Sequence, residues 1–588
     1  MSDLILHNAK IATLDPAQPQ AEALAIQDGV FTAVGDERTV MQLRSSQTQV
    51  LDARGHRLIP GLNDSHLHVI RGGLNYNMEL RWDGIPSLQE ALNRLKNQAA
   101  VTPPPQWVRV VGGWNEFQFR ERRLPTLAEL NQAAPETPVF VLHLYCQAML
   151  NAAAVRAIGY GKDTPNPPGG EIQRDTQGNP TGLLIARPNA NILYSALARG
   201  PKLDLTDQLN STRQFMRELN RLGLTSIIDA GGGFQNYPED YQVIQQLEKN
   251  GELTLRIAYN LFTQHPQAEL EDFRRWTSQL KPGFGNDMLR LNGAGEMLVF
   301  SAADFEDFLE PRPDLIPDME NQLEQVVRHL VAERWPFRLH ATYNESISRF
   351  LNVFEKVHRD IPFDGLRWFF DHCETIDERN LDRIAALQGG IAVQHRMAFQ
   401  GEYFVDRYGA AAAQRTPPIA RMIQAGIPVG AGTDATRVAS YNPWVSLAWL
   451  TTGKTVGGLQ LYGPENRQSR ESALRLYTQG SAWFSGEESR KGRIGTGQLA
   501  DFALLSHDYF EVPDEQIRSI ESLLTVVGGK TVWADGPFRG HGPGPLPVSP
   551  DWSPVRNYGG YFQGPPPVLD CSSHQRGFFG LGCDCFAF

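Results

Sequence analysis

From Leu4 to Leu51 short apolar runs at residues 4–7, 10–14, 23–26 and 30–34 alternate with turn signals such as Gln27-Asp28-Gly29 and Gly35-Asp36, the pattern of a small all-β unit. So few residues cannot build a core of their own, and strands from elsewhere are expected to cover their faces. Candidates lie far downstream, at residues 492–505, 520–527 and 531–533. Residues 1–59 and 490–536 are therefore expected to form one β-sandwich domain built from both chain ends.

Between the ends the period changes. Strand-like apolar runs at residues 57–60, 225–230, 255–259, 289–293, 337–340, 367–372, 390–394 and 427–434 alternate with helical segments. Apolar runs separated by helices are the mark of a parallel α/β fold. Eight of them predict a (β/α)8 TIM barrel over residues 60–489. Past Trp533 the pattern lapses into Gly540-His541-Gly542-Pro543-Gly544-Pro545 and Gly564-Pro565-Pro566-Pro567. Such segments do not sustain helices, so residues 537–588 are expected to be an extended or disordered C-terminal extension.

The polar interruptions carry the candidate chemistry. Alternate side chains of a strand share a face, so His66 and His68, just after the first run, can project the same way and grip one cation. His340 closes the fifth run, His372 the sixth and Asp434 the eighth. In barrels of this type the chemistry sits at the C-terminal strand ends. Taken singly, His340 or His372 reads as a satisfied core residue, whereas ionisable groups at one strand end after another read as a site.

Composition narrows the partners. The chain has 588 residues, 41 % hydrophobic and 21 % charged, the make-up of a soluble protein with one large domain and attachments. A net charge of −11 argues against nonspecific binding to nucleic acid or to an anionic membrane. The start shows no cationic segment leading into an apolar one, and no run of about 18 apolar residues occurs. The expectation is a cytoplasmic protein with a small-molecule partner, no membrane and no nucleic acid; homo-oligomerisation stays open. Cys146 and Cys373 are isolated in the main body, and Cys373 reads as a packing residue beside His372. Cys571, Cys583 and Cys585 crowd the tail, where a structural zinc is the alternative to a flexible or surface-packed extension. Gly430 to Gly432 lacks the Lys-Ser/Thr of a phosphate loop, and Gly231-Gly232-Gly233 reads as a flexible connection near the mouth.

The arrangement of HxH, two later single histidines and an aspartate in Gly432-Thr433-Asp434 resembles the metal-dependent amidohydrolase superfamily. Pro60-Gly61-Leu62-Asn63-Asp64-Ser65-His66, the segment from Gly170-Glu171-Ile172 to Gly178-Asn179-Pro180-Thr181-Gly182, Gly223-Leu224-Thr225-Ser226 and Gly497-Gln498-Leu499-Ala500-Asp501-Phe502 look like the branch of N-substituted formamide deformylases and YtcJ-like proteins. The resemblance covers about residues 1–536. It implies an insertion, about residues 70–220, lying over the barrel mouth, with Trp114, Glu116, His143 and Tyr145 as substrate-binding candidates. Where relatives often carry a carboxylated lysine, this chain reads Leu289-Arg290-Leu291, and an arginine cannot take that role. Glu296, a few residues on, can supply a carboxylate instead.

The resemblance implies one or two divalent cations, best matched by Zn²⁺, with His66, His68, Glu296, His340, His372 and Asp434 as ligands. Two ions are expected if Glu296 bridges and one if it does not. The implied reaction is hydrolysis of a non-peptide carbon–nitrogen bond, in an amide, formamide or cyclic amide, by attack of metal-bound hydroxide, with Asp434 as general base and then acid. Two readings compete: a non-catalytic regulatory or binding protein on an amidohydrolase scaffold, and hydrolysis of a different bond, such as an ester or a carbon–chlorine bond.

Overall fold

In the computed structural model, which describes residues 2–187, 190–232, 235–304, 308, 314–562 and 564, the two ends of the chain meet in one sheet. Strand Phe502–Leu505 pairs antiparallel with Arg57–Pro60, setting Phe502 opposite Pro60 and Leu504 opposite Leu58. Ser522–Val527, Lys530–Ala534, Lys10–Ala12 and Gln20–Ala21 complete this sheet. A second sheet runs Val30–Gly35, Ala23–Gln27, Leu4–His7, Gln49–Asp52. Apolar side chains from both, among them Leu6, Ile26, Phe31, Leu58, Phe502 and Leu524, form a shared core. Each end thus covers a face that the other could not bury alone.

The barrel strands are β1 (Leu62–Leu67), β2 (Leu224–Asp229), β3 (Arg256–Leu261), β4 (Leu289–Ala294), β5 (Phe337–Ala341), β6 (Trp368–His372), β7 (Gly390–Gln394) and β8 (Val429–Gly432), parallel and hydrogen-bonded in that order. The chain is a (β/α)8 barrel with an additional β domain. One expected strand is corrected: residues 57–60 belong to the end sheet, and β1 starts after Gly61. Gly61 is the break because a Cβ there would lie 2.1 Å from Thr225 Oγ1, so the chain can cross between the sheets only without a side chain. β8 closes on β1 through the Asp434 amide, which donates to the His66 carbonyl at 2.8 Å.

Helices cover the barrel with amphipathic faces. In Asn344–Asp360 the buried Ile347, Phe350, Leu351, Phe354 and Val357 recur at helical spacing. Helix Leu205–Arg221, capped by Asp204 accepting from the Asp207 amide, leads into β2. Between helix Val69–Asn75 and that helix lies the insertion, whose sheet runs Gly170–Arg174, Pro180–Ala186, Gln147–Leu150, Val139–His143, Val108–Val111. No helix among the described residues is long and apolar enough to cross a membrane.

Beyond Trp533 the chain packs instead of trailing away. It carries a short helix, Pro554–Tyr558, with proline in its first turn, where a missing N–H costs nothing. Backbone carbonyls of Leu546, Ser549 and Trp552 accept from Gln214, Asn77 and Gln98, and the Tyr561 amide donates to Glu218. Up to Phe562 the extension is largely irregular and packed on the surface: side chains of the insertion and of Leu205–Arg221 satisfy a backbone that forms almost no regular structure of its own. Cys571, Cys583 and Cys585, with the zinc alternative attached to them, lie outside the described residues.

Candidate active site

The C-terminal strand ends bring the predicted histidines and carboxylates to one place. His66 Nε2 lies 3.4 Å from Glu296 Oε2 and 3.4 Å from Asp434 Oδ1. His68 Nε2 lies 3.7 Å from Glu296 Oε1 and 3.2 Å from Asp434 Oδ1. From the other side His340 Nδ1 and His372 Nε2 approach Glu296 Oε2 at 3.7 and 3.8 Å, and each other at 3.0 Å. Three overlapping trios, His66–His372–Asp434, His66–His68–Glu296 and Glu296–His340–His372, each have ligand atoms within 4.8 Å of one another. Glu296 therefore faces all four histidines from the turn after β4.

Outer partners aim the rings. His66 Nδ1 lies 2.9 Å from Asp371, which Arg338 grips through Nε at 2.8 Å. His68 Nδ1 donates to the Gly231 carbonyl at 2.5 Å. His340 Nε2 lies 3.5 Å from Asp304, whose carboxylate accepts from the Thr342 and Tyr343 amides. A histidine tied at one nitrogen presents the other to a metal in a fixed direction. His66 Nε2 meets that description: it is buried, has no hydrogen-bond partner and faces two carboxylates. A buried polar atom left so is costly unless a further group completes it, and the donor set around it suits a divalent cation.

The backbone is bent to make this cluster. His372, Cys373 and Asp434 have φ of 78°, 54° and 54°, a left-handed conformation that costs non-glycine residues on the order of 1–3 kcal/mol each. The turn at β6 sends Cys373 into the apolar core, as its neighbourhood in sequence suggested. Gly232, with φ of 109°, lets the chain after β2 approach: a Cβ there would lie 2.8 Å from Glu296 Oε1. The glycines expected to be a flexible connection thus serve close approach to the cluster at Gly231 and Gly232; Gly233 lies outside the described residues.

Electrostatics follow from burial and neighbours. Burial opposes charge on His66, but the Asp371 and Glu296 carboxylates prevail and raise it to about 9. Burial, with the Arg396 guanidinium and His340, takes His372 down to about 3. Glu296 and Asp434 are held well below the usual carboxylate range: burial resists, and the surrounding imidazoles overcome it. Both are anions at neutral pH.

Of the insertion residues, Tyr145 lines a cavity of about 800 Å³ that also touches His68, Glu296, His340 and Asp434. Trp114 packs between Trp82 and Phe119 in the insertion core and donates from Nε1 to the Leu142 carbonyl. His143 is buried, with Nε2 2.9 Å from Glu116 and Nδ1 3.4 Å from Cys146 Sγ. Arg290 turns to Glu487 at 2.9 Å and to the Ser485 carbonyl. Sequence reasoning missed Arg338, Asp371 and Asp304. The first two stand within two residues of a singled-out histidine, which was a usable signal; Asp304 sits in a loop with no pattern to mark it.

Fold and site together define the class: a (β/α)8 barrel with a cluster of histidines and carboxylates at its mouth. The sequence matches the amidohydrolase family over residues 49–533, and the chain belongs to that family. It is similar to the N-substituted formamide deformylase of Arthrobacter pascens, 26 % identical over 546 residues that cover 90 % of this chain and 98 % of the deformylase. It is similar too to YtcJ of Bacillus subtilis, 26 % identical over 542 residues covering 90 % and 99 % of the two chains. Among solved structures, an uncharacterized metal-dependent hydrolase from Pyrococcus horikoshii shares the fold, with a TM-score of 0.63, 19 % identity and coverage of 87 % of this chain and 99 % of that one. The chain is an amidohydrolase enzyme, and its substrate is a small molecule.

Proposed function

We propose that this enzyme hydrolyses a non-peptide carbon–nitrogen bond of a small amide, formamide or cyclic amide, using Zn²⁺ held by His66, His68, Glu296, His340, His372 and Asp434. The observation that carries this reading is the place of Asp434: its Oδ1 stands 3.2 Å from His68 Nε2 and 3.4 Å from His66 Nε2, and the residue lines the cavity. When bound, the cation supplies a water of lowered pKa and polarises the scissile carbonyl. Asp434, an anion, takes the proton of the attacking water and passes it to the departing nitrogen, acting as base and then as acid. Arg396 Nη1, 3.9 Å from Asp434 Oδ2, holds the carboxylate in that role from the end of β7. Glu296 is the bridging candidate if two ions bind. Tyr145, Phe262 and Leu339 give the cavity apolar walls that strengthen these interactions by excluding water.

The test is turnover of a panel of N-formyl, N-acyl and cyclic amide compounds by the Zn²⁺-loaded enzyme, with Asp434→Asn beside it. The variant is expected to fold and to retain metal while losing at least about 10²-fold in kcat. Near-parental turnover by folded, metal-loaded Asp434→Asn would assign the proton transfer to another group. Turnover confined to esters would move the chemistry to a different bond.

A further inference from the structure

A second cavity, of about 360 Å³, shares no lining residue with the one at the cluster. Its apolar lining comes from Phe399 on helix Met397–Tyr408 after β7, Val445 and Ala448 on helix Pro443–Thr452 after β8, and Val456 just beyond. Tyr561 and Phe562 of the C-terminal segment line it too. Two cations, Lys454 and Arg518, share this lining. Arg518, on the short helix Asp514–Ser519, is half-buried. Its Nη1 donates to the Val456 carbonyl at 3.3 Å and its Nη2 to the Thr455 carbonyl at 3.0 Å. Both acceptors are neutral, and no carboxylate among the described residues pairs with Arg518 or with Lys454. Burial outweighs the pull of Tyr561 and Glu402 and takes Arg518 below its ordinary range. The acids of the lining, Asp514 and Glu515, are exposed, and Asp514 is paired with Arg470 at 2.7 Å.

We propose that this cavity is a second ligand site, separate from the reaction cavity, for a small carboxylic acid with an apolar body. Arg518 takes the carboxylate, Lys454 adds a second positive charge, and Phe399, Val445, Ala448 and Val456 take the body. Apolar walls with a few polar groups on them are what small ligands occupy. The two carbonyls hold the guanidinium in place and leave its other N–H donors unused; such a fork matches a carboxylate with two parallel hydrogen bonds. A cation withdrawn from water without a counter-charge is costly, so an arriving anion gains more here than at a fully exposed arginine. The proposal is independent of which bond the cluster hydrolyses.

Titration calorimetry of the full-length enzyme with 4-phenylbutyrate and with its neutral counterpart, 4-phenylbutan-1-ol, tests this. The acid is expected to bind saturably and about 10- to 100-fold more tightly than the alcohol, the scale of hydrogen bonds to a charged group. Arg518→Gln should erase that difference, and Arg518→Lys should keep part of it. Ala448→Phe, which fills the apolar part of the cavity, should weaken both compounds, and removal of the metal by a chelator should weaken neither. No saturable binding of the acid by the parent, equal affinity for acid and alcohol, or acid binding by Arg518→Gln as tight as the parent's overturns the proposal. Binding that disappears with the metal overturns it as well, because it puts the acid at the cluster. Far-ultraviolet circular dichroism and metal content of each variant separate these outcomes from misfolding, and the parent's preference for acid over alcohol decides even where a variant fails to fold.

Discussion

At the scale of residues, the metal-binding candidates were readable because they close strands, whereas the groups that aim them were not. His66, His68, His340, His372 and Asp434 each follow an apolar run, and position alone sets them at the mouth. Asp371 precedes His372 by one residue, yet what it serves is His66, on a strand far away in sequence. No periodicity encodes such a cross-barrel pairing. Asp371→Asn is expected to lower metal affinity about 10- to 100-fold, as loss of an outer partner does, measured by competition with a chelator. It also leaves Arg338 buried with its charge less well matched, so the melting temperature should fall as well. Parental affinity with a lowered melting temperature would confine Asp371 to pairing Arg338.

Among elements, the strand count was legible and some strand identities were not. Apolar continuity runs from Leu58 through Ile59 and on past Leu62, and one broken strand reads as a single run; only the contact of Gly61 with Thr225 shows where the chain changes sheets. Around β4 the chain carries no lysine of the kind the resemblance implied. Arg290 stands near the start of that strand and pairs with Glu487, whereas Glu296, in the turn beyond it, reaches the cluster. If Glu296 bridges two ions, Glu296→Gln should bind about one where the parent binds two, with activity reduced and the fold retained, because the bridging charge offsets repulsion between cations. Metal analysis of both proteins checks this. A parent holding a single ion, with Glu296→Gln equal to it in content and rate, would make the centre mononuclear.

For the whole molecule, the C-terminal segment behaves as a strap. Removal of residues from 543 onward would take hydrogen bonds from Asn77, Gln98, Gln214 and Glu218 and uncover the surface beneath. Each hydrogen bond lost contributes about 0.5–1.5 kcal/mol net. The truncated chain is therefore expected to melt several degrees below the parent while keeping its metal content, since no described strap residue lines the cluster's cavity. Unchanged melting would return the segment to the loose appendage that its glycine and proline content suggests.

Local chemistry determined what the sequence could reveal alone. Apolar period separated β ends from an α/β middle, and strand-end position marked five of the ligand candidates, because both properties repeat along the chain and need no distant partner. Tertiary structure decided the remainder: the break at Gly61, the aim of His66 by Asp371 and of His340 by Asp304, the approach of Gly232 to Glu296, the burial of Trp114 and the packing of the strap. Each of these joins residues remote in sequence, and a contact between remote residues leaves no periodic trace in either.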